Sequence, residues 1–114
     1  MDAVEMLLLF DYYGDLLTDR QRQCIDYRYN QDLSFGEIAS EMGISRQGVF
    51  DNIARAEARM AKMEEKTGFV RRDLEHRKAM QTIAQCVQRL SSHTDPLVRE
   101  TAARIGEVVN SIEE

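Results

Sequence analysis

Apolar side chains recur along this chain in steps of three and four residues, the spacing that gathers them on one side of a helix. Over residues 2–14, Val4, Leu7, Leu8 and Phe10 with Tyr12 and Tyr13 predict a helix apolar over most of its girth, ended by Gly14 in a left-handed conformation. Thr18 and Gln21 then form a capping box, opening a helix over about 19–29 that carries Cys24, Ile25, Arg28 and Tyr29; Asn30–Leu33 is a polar break. Ser34 and Glu37 form a second box before a short helix over about 35–42, which Gly43 stops. Ser45 caps a much longer helix, where Val49, Ile53, Ala56, Met60 and Met63 make a coiled-coil-like seam before Gly68. The next helix, from about 70 to 91, has Leu74, Met80, Ile83, Val87 and Leu90 on its apolar side. Thr94 or Asp95 caps a last helix that begins with Pro96, where the missing N–H costs nothing, and whose stripe is Val98, Ala102, Ile105, Val108 and Ile112. No strand, repeat or low-complexity tract interrupts this pattern. The expected class is all-α.

Chain length and composition narrow the picture. With 114 residues, 43% hydrophobic and 31% charged, the chain suffices for one domain, or for one small domain with a helical appendage, but not comfortably for two independent cores. Residues 1–68 are expected to form one domain, and 69–114 a C-terminal extension packed on it or in a dimer interface. The longest apolar run, Met6–Phe10, is far short of the roughly 20 residues that cross a bilayer. Acids rather than bases follow Met1, which argues against a secretory leader, and two widely spaced cysteines, Cys24 and Cys86, fit reduced thiols in the cytoplasm. The formal charge is −5, from 15 bases and 20 acids. Residues 1–17 hold four acids and no base, and only Arg71, Arg72, Arg77 and Lys78 form a plainly basic local group. Such a molecule repels DNA at long range.

Within Phe35–Arg55 lies a tight constellation. Ala39 is small where two helices cross, Gly43 frees the backbone to turn, and Ile38, Met42, Ile44 and Val49 supply a little core. This is the shape of a helix-turn-helix whose second helix starts at Ser45. The exposed positions of that start are Arg46, Gln47, Phe50, Asp51 and Ala54. Arg46 suits a phosphate or guanine, Gln47 an adenine and Phe50 a thymine methyl, while Ser45 suits a cap or a phosphate. Asp51 is awkward in a phosphate-lined groove, although a carboxylate accepts from cytosine. Arg55, Arg20 and Arg22 complete the candidate contact set, with Tyr27 and Arg28 beside them. Catalytic, metal and cofactor sites are not expected: His76 and His93 are 17 residues apart without ligand partners, and Gly36, Gly43 and Gly48 do not make a phosphate loop. The first helix, hard to bury on a small monomer, suggests a homodimer in which the Val49–Met63 seam or the C-terminal helices also take part.

The segment from Leu16 to Met63 resembles the region-4 domain of bacterial sigma factors. The chain more closely resembles the YlxM-type family of sigma-region-4-like proteins, through "LLLFDYYGDLLTDRQ", "DLSFGEIA" and "SRQGVFD". That resemblance covers roughly the first 70 residues. It implies a sigma-region-4-like helix-turn-helix core with a long recognition helix, a homodimer, and a regulatory or assisting role in the signal recognition particle pathway, but no known DNA site; DNA or RNA is the partner expected from the side chains after Ser45. Sigma factors carry basic or amide side chains where this chain has Phe50 and Asp51. That departure keeps open an alternative: an adaptor on the same scaffold that binds the particle's GTPase or RNA without reading DNA sequence.

Overall fold

The structure, a computed structural model, describes residues 2–113 and is helical nearly throughout. The helices are α1 (Ala3–Tyr13), α2 (Asp19–Ile25), α3 (Phe35–Met42), α4 (Arg46–Thr67), α5 (Phe69–Leu90) and α6 (Pro96–Glu113), with no strand among the described residues. Two compact units divide the chain, residues 1–70 and 71–114.

In the first unit α4 is the hub. α1, α2 and α3 all pack on it, and Val49, Ile53, Ala56 and Met60 are buried along one side. From Val49 to Met60 the predicted seam packs on the chain's own α1–α3, while Met63, its last member, is half-buried beside an apolar cleft that Tyr12, Leu16 and Phe69 also line. α1 is covered by its own chain as well. Leu8 and Leu9 are buried and Leu7 and Phe10 half-buried, leaving Val4 and Tyr12 as the large side chains it exposes. A helix so apolar finds cover within one chain because α4 and the segment after α2 both lie against it. The far end of α1 is pinned as well: Tyr13 donates its hydroxyl proton to Glu64 Oε1 (2.8 Å) and also hydrogen-bonds the Thr67 hydroxyl. Burial pushes the Tyr13 phenol up from its ordinary range.

Two local expectations are corrected. Gly14 does not terminate α1 in a left-handed conformation; its φ of −57° continues into a 3-10 turn, Gly14–Leu16. Glycine stands there because a Cβ would come within 2.9 Å of the Phe10 ring. Nor does α2 run uniformly to residue 29. After Ile25 it widens into a π turn, Asp26–Asn30, which one carboxylate clamps: Asp26 accepts from the side-chain amides of Asn30 (2.8 Å) and Gln31 (3.1 Å). One extra residue per turn rotates the side chains that follow, with consequences described below.

In the second unit α5 and α6 form a hairpin through a capped turn. Asp95 Oδ1 accepts from the Leu97 N–H (2.9 Å), so Asp95 rather than Thr94 caps α6, and Arg99 donates to the carbonyls of His93 and Thr94. The inward line of α6 runs through Val98, Ala102, Gly106 and Val109, a phase shifted from the expected stripe. Consequently Val108 and Ile112 are exposed. With Met80, Ile83 and Ile105 they border an apolar cleft of about 510 Å³.

Candidate nucleic-acid interface

The site starts from two local caps. Ser34 Oγ accepts from the Glu37 N–H and the Glu37 carboxylate accepts from the Ser34 N–H, each at 3.1 Å. Donation from the Ser34 N–H first, and from the Ser34 hydroxyl second, holds the Glu37 carboxyl below its usual range. At the other end of α3, Gly43 takes φ 65°, ψ 34°, and the following Ile44 N–H returns to the Ala39 carbonyl at 3.2 Å. That bond satisfies a terminal carbonyl and turns the chain sharply. Ile38 and Val49 are fully buried between the two helices, with Met42 and Ile44 half-covered. The helix-turn-helix is thus formed as its residues predict, and the first turns of α4 face outward.

On that surface the expected contact residues divide. Ser45 is committed to capping, its Oγ accepting from the Gly48 N–H (2.9 Å). Arg46 is exposed but lies back along α3; a Cβ at Gly36 would stand 2.9 Å from its Nη2. Its guanidinium borders a polar cleft of about 380 Å³ that Glu37 and Glu41 also line. Gln47 donates its amide to Asp51 Oδ1 (3.0 Å), so these two side chains present themselves as one unit, with the Gln47 carbonyl still open to a donor. Phe50 is 51% exposed. Arg55 is exposed on the same helix. Arg20 and Arg22 sit on α2 instead, and Arg22 is engaged by Asp19 (2.8 Å) and Asp15 (3.5 Å).

The π turn builds a cluster that the spacing of the residues does not announce. It carries Arg28 to a position 4.9 Å from the centre of the Phe35 ring, where it also donates to the Leu33 carbonyl (3.0 Å). Arg28 is thereby held by an aromatic face and a backbone carbonyl. Phe35 in turn meets Phe50 edge-on at 6.1 Å. Tyr29 donates to Glu57 Oε1 (2.7 Å), and burial followed by that carboxylate pushes its phenol up to about 12. Arg28, Tyr29, Phe35, Phe50, Ile53 and Glu57 enclose a small cleft of about 210 Å³. No sequence signal marks this cluster, because the π turn sets its register. Cys24, fully buried with its thiol pushed up by burial, is an inert core residue.

The profile of the UPF0122 family, described as "Putative helix-turn-helix protein, YlxM / p13 like", matches residues 2–97. The chain belongs to the UPF0122 family. Its relatives include a UPF0122 protein of Acetivibrio thermocellus, 40% identical over 117 residues, covering 97% of this chain and 100% of the relative. Another from Caldanaerobacter subterraneus subsp. tengcongensis is 44% identical over 86 residues, covering 75% and 74%. A UPF0122 protein of Listeria innocua is 48% identical over 67 residues, covering 59% and 61%. UPF0122 membership makes the helix-turn-helix a family property, and that architecture is a nucleic-acid-binding scaffold. Among the described residues no helix of this UPF0122 chain is long and apolar enough to cross a membrane, and no group of three or more His, Cys, Asp or Glu side chains is placed to hold a metal ion.

Proposed function

We propose that this UPF0122 protein is a regulatory protein that binds duplex nucleic acid through the helix-turn-helix, with the start of α4 entering the major groove. The observation that carries this is the division of α4 into two sides. Val49, Ile53 and Ala56 are buried on one side, while Arg46, Gln47, Phe50, Asp51 and Arg55 stand in solvent on the other. Gln47 meets base edges with its carbonyl, Phe50 meets thymine methyls, and Ser45 orients the helix. Arg55 and Arg20 contact phosphates, as does Arg46 once it swings from Gly36. The resemblance to YlxM-type proteins is the reason for assigning this role to the signal recognition particle pathway in the cytoplasm. A homodimer is supported by Ile83, Ile105, Val108 and Ile112, large aliphatics exposed around the second unit's cleft; a two-fold pair presents two helix-turn-helix units.

The test is selection of bound duplexes from a random-sequence pool, followed by a combined Gln47→Ala and Phe50→Ala variant. Loss of the selected preference supports the reading, and an unchanged preference sinks it. A second reading has its own support: the Phe50–Phe35 edge and its cleft suit an apolar side chain, so the same surface serves a protein adaptor that binds the particle's GTPase. Salt separates the two. Phosphate-neutralising binding weakens by orders of magnitude between about 50 and 200 mM salt, whereas apolar docking on Phe50 barely responds. A pull-down from cell extract, with and without nuclease, locates the partner, and sedimentation of a monomer at micromolar concentration removes the dimer.

A further inference from the structure

Beyond the motif, α4 segregates its charges. Arg55, Arg59, Lys62 and Lys66 follow at steps of four, three and four residues, which keeps them on one side of a helix with 3.6 residues per turn. All four are exposed, and among the described residues none is in an ion pair. Three of the four acids of the same helix accept from other groups, and the fourth, Glu65, is exposed beside Lys62 and Lys66. Glu57 accepts from Tyr29, Glu64 accepts from Tyr13 and the Val70 N–H, and Asp51 accepts from Gln47. Exposed Ala54, Ala58 and Ala61 flank the row on one side. A protein of net charge −5 thus keeps four cations, none of them in an ion pair among the described residues, in a line about 16 Å long, at 1.5 Å of rise per residue.

We infer that this row, Arg55–Arg59–Lys62–Lys66, is a phosphate-gripping edge that lies along one strand of a nucleic-acid duplex while the start of α4 occupies the groove. Three of its four members lie outside the helix-turn-helix motif. The inference rests on the nucleic-acid reading above and adds to it the source of affinity. The motif itself offers little free positive charge, since Gln47 and Asp51 bind each other and Arg46 lies along α3.

The experiment is fluorescence anisotropy of a labelled duplex DNA of arbitrary sequence, titrated with the full chain across a salt series. Each lost phosphate contact lowers the slope of log affinity against log salt by about 0.9. The combined Arg59→Ala, Lys62→Ala, Lys66→Ala variant is expected to lower the slope by about 2.7, so that a fourfold rise in salt costs it roughly 40-fold less affinity than it costs the natural chain. Alanine suits exposed helix positions, and an unchanged circular dichroism melt certifies the fold. The charge-matched control Lys78→Ala, Arg89→Ala, Arg104→Ala in the second unit keeps the slope, as does the Gln47→Ala, Phe50→Ala variant. The row is refuted if its variant keeps the natural slope, if the control loses as much, or if labelled polyglutamate is held as tightly as the duplex, which reassigns the row to an acidic protein partner. If the natural chain retains no duplex even at low salt, the nucleic-acid reading itself falls and takes the row with it. A normal slope in the row variant together with lost preference in the Gln47, Phe50 variant leaves that reading standing and removes only the row.

Discussion

Gly43 sits at the pivot of the recognition motif, and its replacement isolates one physical quantity. Its φ of 65° lies in the left-handed region, and a Cβ added there would meet nothing within 4 Å. Packing therefore contributes nothing to the cost of Gly43→Ala. What remains is the backbone penalty of holding a β-carbon residue in that region, about 1–2 kcal/mol, partly offset by about 0.4–1 kcal/mol from the lowered entropy of the unfolded chain. A net loss near 1 kcal/mol follows, which for a unit of this size lowers Tm by roughly 4–8 °C. Gly43→Asn provides the internal check, because asparagine visits the left-handed region more readily. It is expected to lose less than half as much, and Gly43→Val, β-branched, to lose most. Thermal melts followed by circular dichroism measure all three, with duplex binding recorded well below the transition, where it stays within twofold of the natural chain. An alanine variant that melts with the natural protein refutes the steric argument. So does an asparagine variant as unstable as the alanine one, which points to an unforeseen contact instead.

Three further outcomes are expected. Tyr29 has its folded pKa raised from 10.0 to about 12 by burial and Glu57, so the neutral phenol is the form the fold prefers. Its contribution is complete below pH 10, fades as pH climbs from 10 to 12, and is absent in Tyr29→Phe; urea melts across that range should show a shallower decline for the variant, and parallel curves would contradict the assignment. Met60, fully buried at the centre of α4, should lose about 2–5 kcal/mol on Met60→Ala, read as a lower urea midpoint with an unchanged m-value. Gly14→Ala should destabilise by about 1–3 kcal/mol through crowding of the Phe10 ring, and Phe10→Leu in the same chain should restore most of it; failure of that rescue would show that the ring is not the obstacle.

Features confined to one helical turn were legible in the residues alone. The Thr18–Gln21 and Ser34–Glu37 boxes, the Ser45 cap and the helix ends at Gly43 and Gly68 all appear where the chain predicts them. Each depends on hydrogen bonds or dihedrals spanning a few neighbouring residues, so no distant element has a say. The Ala39–Gly43 turn with Ile38 and Val49 was legible for the same reason. The row on α4 was also present in the spacing, though hidden from a search for contiguous bases such as Arg71–Arg72.

Other properties depend on residues far apart in the chain. Gly14 answers to the Phe10 ring, not to a helix end. α1 is covered because α4 and the π turn lie against it. Arg28 is occupied by Phe35, Arg46 rests along Gly36, and the carboxylates of Glu57 and Glu64 are drawn to Tyr29 and Tyr13. Periodicity tells which face of a helix is apolar but not which neighbour covers it or which charges that neighbour removes. Those answers come from packing, where each side chain's partner is chosen by the fit of whole helices.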